Sequence, residues 1–79
     1  MIIQVLFFGA TADIAGTRRN EIHVSPETLA ETVFEKILAE YPRLASLKLH
    51  LSINQQYATG EEILRDGDEL AIFTAVSGG

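Results

Sequence analysis

One long amphipathic helix constrains this chain more than any other feature. Leu29, Ala30, Val33, Phe34, Ile37, Leu38 and Tyr41 recur at helical spacing and make a single apolar stripe. Glu27, Glu31 and Glu35 make the opposite, solvated face, and the first two sit where a helix N-terminus favours negative charge. Ser25 reads as the N-cap and Pro26 as the first helical residue, where its missing N–H costs nothing. Pro42 stops the helix, because the residue before a proline avoids helical angles. A helix of about 15 residues covers one face of one sheet, so the remainder of a 79-residue chain has to supply that sheet.

The strands are legible by their period of two. Ile2 to Phe8 is β-branched and aromatic and ends at Gly9; Ile3, Val5 and Phe7 point one way, and Ile2, Gln4, Leu6 and Phe8 the other. Gly9 to Asn20 reads as a loop with at most one helical turn over Thr11–Ala15, and Glu21–Val24 as an antiparallel return strand with Ile22 and Val24 inward. Beyond the helix, Arg43–Lys48 is an irregular crossing. Leu49, Leu51 and Ile53 then alternate with His50 and Ser52, Asn54–Gln56 supplies a turn, and Tyr57 opens a short edge strand that Gly60 breaks. Asp66-Gly67-Asp68 is a turn before a last strand, Glu69 to Thr74, in which Leu70 and Ile72 share one face and Ala71, Phe73 and Ala75 the other. Two strands before a single main helix and more strands after it predict an α+β domain with one covered sheet face.

Composition excludes whole classes of chemistry. There is no cysteine, hence no disulfide, thiolate metal site or cysteine nucleophile. A net charge of −5 has the wrong sign for a surface that binds nucleic acid or an anionic membrane. The longest purely apolar run, Val5–Phe8, is far too short to span a bilayer, and no basic-then-apolar leader precedes it, so a cytoplasmic location is expected. His23 and His50 are isolated strand residues rather than metal ligands. Gly9 and Gly16 lack the Lys-Ser or Lys-Thr of a phosphate loop, and Asp66 and Asp68, without the rest of a calcium loop, are turn formers. Arg18-Arg19 is a short basic step in a loop, available at most to an acidic partner. No pair of groups is arranged for acid–base work, and the chain is not expected to be an enzyme by itself.

The unusual feature is the end, Val76-Ser77-Gly78-Gly79, directly after a strand. Four extended residues reach about 13–14 Å, and glycines thread narrow channels and take backbone angles closed to other residues. Residues 1–75 are therefore expected to form the domain, and 76–79 a flexible C-terminal tail. Such a tail suits a carboxylate delivered into another protein's active site. A carboxylate is a poor electrophile, and adenylation with ATP by a partner is the usual route to an acyl intermediate. Displacement of AMP by a sulfur donor would leave a thiocarboxylate on Gly79.

Several pieces together resemble one family: Met1-Ile2-Ile3-Gln4-Val5-Leu6-Phe7-Phe8, the loop ending at Ala15-Gly16-Thr17, Ile53-Asn54-Gln55, Asp66-Gly67-Asp68-Glu69-Leu70-Ala71-Ile72-Phe73, and the closing Val76-Ser77-Gly78-Gly79. That family is the small, sulfur-carrier subunit of molybdopterin synthase, a ubiquitin-like β-grasp protein. The resemblance implies a mixed sheet of four to five strands with one main helix on one face. It implies that Gly79 is adenylated by an activating enzyme that uses ATP, converted to a thiocarboxylate, and inserted into the large synthase subunit. There its sulfur goes to cyclic pyranopterin monophosphate to build the molybdopterin dithiolene. Catalytic residues would lie on the large subunit of a heterotetramer, with no metal or cofactor bound by this chain and neither nucleic acid nor membrane as a partner. One departure is Thr74-Ala75, where family members often carry prolines.

In the β-grasp topology the first and last strands are parallel neighbours, so Leu6, Phe8 and Phe73 are expected to cluster on the face away from the helix as a partner-binding patch beside the tail. The alternative is that loop residues such as Ile14 fold over that patch. Alternatives of function are a thiamine-type sulfur carrier, which is shorter between the first two strands, a ubiquitin-like modifier, and a β-grasp interaction domain whose tail is never activated.

Overall fold

A computed structural model of the chain describes residues 1–75. Five strands, β1 (Ile2–Phe7), β2 (Arg19–His23), β3 (Leu49–Ile53), β4 (Gln56–Ala58) and β5 (Glu69–Thr74), form one mixed sheet in the order β2-β1-β5-β3-β4. β1 pairs with β5 in parallel; every other neighbour is antiparallel. The main helix, α2 (Ala30–Glu40), covers one face, and a short helix, α1 (Ala10–Ala15), follows β1. This is the expected β-grasp with one main helix, and the sheet has the upper of the two strand counts.

The period-two reading of β1 sets the core. Ile3, Val5 and Phe7 are buried under α2 together with Leu70 and Ile72 of β5, Leu51 of β3, and Ala30, Val33 and Ile37 of the helix stripe. Tyr41 closes one end, its ring edge-on to Phe7 at 5.9 Å. The crossing after Pro42 is a 3₁₀ turn, Pro42–Ser46, that drives Leu44 into the core; Leu64 fills it from the long loop before β5.

The helix start departs from the sequence reading. Ser25-Pro26 makes a turn in which the Thr28 hydroxyl donates to the Ser25 carbonyl, Glu27 takes a left-handed φ of 67°, and Leu29 is still extended. Leu29 forms an isolated bridge with Ile63, and the first free amides of α2 donate to distant carbonyls, Ala30 to Glu62 at 2.9 Å and Glu31 to Gly60 at 2.8 Å. Backbone brought in from residues 60–62 does the work of a side-chain cap. Gly60 is needed there: its φ is 106°, and a Cβ would lie 3.2 Å from that of Glu31. The Glu62 carboxylate holds this loop by accepting the N–H groups of Thr59, at 2.9 and 3.2 Å to its two oxygens, and of Gly60, at 2.8 Å. Those backbone donors, Thr59 first, pull its pKa below the ordinary glutamate value.

The turn at residues 66–68 does more than reverse the chain. Asp66 Oδ1 accepts the Ile2 amide at 2.7 Å, the Gly67 amide donates to the Ile2 carbonyl at 2.8 Å, and the Asp68 carbonyl accepts the Gln4 amide at 3.0 Å. Asp68 Oδ1 also accepts from the Asn54 side chain, whose own oxygen accepts the Glu69 amide. Two aspartates that read as plain turn formers thus tie together the starts of β1 and β5 and the β3–β4 turn.

Candidate functional site

The uncovered face of the sheet divides by residue type. Strand register puts Glu21, Gln4 and Glu69 side by side, with Asn54 near the same end and the Arg19–Glu69 ion pair of 3.4 Å across it. Toward the C-terminal end of β5 the same face turns apolar. Leu6 lies opposite Ala71, and a groove of about 450 Å³ opens between Leu6, Phe8 and Phe73, with Thr74 on its rim. Phe8 is 53% exposed there, and with Leu6 and Phe73 it makes a contiguous apolar patch of the kind that marks an interaction surface. Ile14 does not: it packs against the core from α1 and is absent from the groove lining. Leu6, Phe8 and Phe73 therefore come together on the expected face, at the end of the sheet where β5 stops.

Sequence reading missed the aromatic extension of this patch. His50 lies opposite Phe73, and their rings stack at 5.9 Å; Tyr57, 80% exposed, is 5.9 Å from Phe73 and 6.3 Å edge-on to His50. The signal was present in the parity of β3, since His50 and Ser52 had to face outward, yet only the β5–β3 adjacency brings Phe73 to His50.

Thr11 was missed as well. It is fully buried and replaces one rung of the parallel ladder. The Gln4-to-Asp68 bond sets the phase of β1–β5 pairing, and in that phase the Phe8 amide would next meet the Ile72 carbonyl. Instead the Phe8 N–H donates to Thr11 Oγ1 at 2.9 Å, and the Thr11 hydroxyl faces two carbonyls, Ile72 at 2.8 Å and Phe8 at 3.0 Å. A single hydroxyl hydrogen serves them, while an oxygen lone pair takes the amide. α1 is thereby locked to β1 and β5, and pairing between those strands ends at Phe7 and Ile72.

Val76, Ser77, Gly78 and Gly79, the residues expected to thread a channel and carry the reactive carboxyl, lie outside the described residues. Among the described residues no group of three or more His, Asp or Glu side chains could hold a metal ion, and no helix is long and apolar enough to cross a membrane.

Comparison with known proteins places this geometry. The model of the ThiS family matches residues 5–79. The molybdopterin synthase sulfur carrier subunit of Chlamydomonas reinhardtii is 32% identical over 83 residues, covering all of both chains. Among solved structures, SAMP1 from Haloferax volcanii superposes with a TM-score of 0.85 at 25% identity, again over both whole chains. A chain from the complex of subunits 1 and 2 of the molybdopterin-converting factor of Helicobacter pylori superposes at 0.71 with 23% identity over the full length of both. With a β-grasp sheet, an apolar groove where β5 ends and this likeness along its whole length, the chain belongs to the ThiS family and is a sulfur carrier subunit of the molybdopterin synthase type.

Proposed function

We propose that this protein carries sulfur as a thiocarboxylate on Gly79 and delivers it to cyclic pyranopterin monophosphate bound by the large subunit of molybdopterin synthase. An adenylating enzyme binds ATP, and the Gly79 carboxylate attacks the α-phosphorus with loss of pyrophosphate. A sulfur donor displaces AMP from the acyl adenylate and leaves the thiocarboxylate. Two rounds of transfer supply the two sulfurs of the molybdopterin dithiolene. The residues that catalyse the transfer belong to the large subunit, and no cofactor is held by this chain. The steps take place in the cytoplasm.

The observation that carries this reading is the apolar groove of Leu6, Phe8 and Phe73, open beside the last paired residue of β5 in a chain of this family. A docked large subunit would cover that groove and receive Val76, Ser77 and Gly78 in a channel, where residues without bulky side chains fit closest. The Helicobacter pylori complex of subunits 1 and 2 supports a large-subunit partner.

Intact-mass measurement on protein from its native host tests the chemistry. The expected result is a species whose mass exceeds that of the chain ending at Gly79 by one oxygen-to-sulfur exchange. With sulfur supply intact, absence of that species, or a polypeptide running on untrimmed past Gly79, overturns the proposal.

A further inference from the structure

A second surface lies on the other side of the sheet edge, between α2 and β3. The Asn54-Gln55 turn has φ angles of 49° and 70°, as a two-residue hairpin turn requires, so Ile53 and Gln56 are a hydrogen-bonded pair and Leu51 and Ala58 the next. The Asn54 amide donates to the Glu69 carbonyl at 2.9 Å, which directs the even-numbered residues of β3 toward β5. Leu49 therefore points its N–H and C=O toward the β4 side, where β4 has already ended. The residue that would pair there, Gly60, is engaged elsewhere: its carbonyl accepts the Glu31 amide and its N–H donates to Glu62. The gap is a groove of about 410 Å³ lined by Glu31, Phe34, Glu35 and Leu38 of α2 and by Leu49 and Thr59.

We propose that this edge accepts an extended segment of a partner protein, adding as a strand beside Leu49 and carrying an apolar residue flanked by lysine or arginine. Among the described residues the Leu49 N–H and C=O have no main-chain partner, and such an open donor and acceptor select an extended backbone. Phe34 and Leu38 select an apolar side chain, and Glu31 and Glu35, both exposed, select basic residues beside it on the same face of the added strand. A symmetric contact between two copies through this edge does not fit, because it would set the same two glutamates against each other on a protein of charge −5. Leu49 lies opposite Thr74, so the added strand sits close to the root of the C-terminal segment while leaving Phe8 and Phe73 free for another contact. The inference does not depend on the chemistry of Gly79.

The test uses the ¹⁵N-labelled full chain and two synthetic peptides, Ac-Lys-Thr-Val-Thr-Lys-NH2 and Ac-Glu-Thr-Val-Thr-Glu-NH2. Millimolar lysine peptide is expected to shift the amides of Leu49, Thr59, Gly60, Glu31 and Glu35 and to slow hydrogen exchange at Leu49. Binding should be at least about tenfold weaker for the glutamate peptide, and the double substitution Glu31→Lys, Glu35→Lys should reverse the preference. Both positions are exposed, and retained dispersion of the core amides verifies the fold of that variant. Shifts centred on Phe8 and Phe73, equal response to the two peptides, or no response at Leu49 would overturn the proposal.

Discussion

Thr11→Val separates two accounts of why a threonine is buried at the end of β1. The substitution keeps shape and volume and removes one oxygen. If packing alone mattered, stability would hold or rise, because a methyl replaces a hydroxyl in an apolar surround. The bonding described above predicts the reverse. The Ile72 carbonyl loses the partner at 2.8 Å and the Phe8 amide the one at 2.9 Å, with the new methyl wedged between them so that they cannot meet. The Phe8 carbonyl keeps the Thr11 amide at 3.2 Å and is not orphaned. A buried unsatisfied group costs about 1–3 kcal/mol, and the Phe8 amide is only partly buried, which puts the loss at about 2–4 kcal/mol. In a domain of this size that lowers the melting temperature by on the order of 10–25 °C. Thr11→Ser keeps the hydroxyl and gives up one methyl, a loss of about 0.5–1.5 kcal/mol. Thermal melts by circular dichroism give the ranking, and hydrogen exchange at Phe8 localises the damage. A valine variant that melts with or above the parent, or above the serine variant, refutes the bridging hydroxyl.

Three further outcomes follow from other parts of the molecule. Phe73→Asp places a charge in the apolar groove, and is expected to weaken binding to the large synthase subunit by tenfold or more, about 1.4 kcal/mol, while the far-ultraviolet spectrum stays unchanged; calorimetric titration reads the first and circular dichroism the second. Gln55 holds a left-handed φ of 70° at a cost of about 1–2 kcal/mol, so Gln55→Gly should raise the midpoint of urea unfolding, and an unchanged or lower midpoint would count against strain at that turn. Glu62 has its folded pKa pulled below the ordinary glutamate value. Its contribution is therefore present above the unfolded pKa and is lost as pH falls through the lower, folded one. Carboxyl NMR should place its midpoint below 4.5, and Glu62→Gln should lose stability at neutral pH while flattening the acid limb of the stability curve.

What could be read from the chain, and what could not, divides by the range of the interactions involved. β1 was legible because Ile3, Val5 and Phe7 against Leu6 and Phe8 need only the alternation of a strand, and the stripe from Leu29 to Tyr41 only the period of a helix. The groove of Leu6, Phe8 and Phe73 followed once β1 and β5 were neighbours. The start of α2 was misplaced because Ser25-Pro26 is a strong local signal that a stronger distant one overrides: residues 60–64 offer carbonyls and a bridge to Leu29, and the chain stays extended to meet them. Thr11 sends no local signal at all, since a threonine in a Gly-bounded segment is ordinary until Phe8 and Ile72 are brought to its two sides. Tyr57 likewise looks like a plain edge residue until the register of β3 brings it against both His50 and Phe73.

The parallel alignment of β1 and β5 has a mechanical consequence. Each strand is anchored at its start by the residue 66–68 turn, and both run in the same direction. Traction applied to the chain beyond residue 75, with β1 held in place, would load the four paired positions from Gln4–Glu69 to Phe7–Ile72 together in shear, rather than peeling them apart one after another. A partner could tug on the far end of this protein without unravelling the scaffold that presents it.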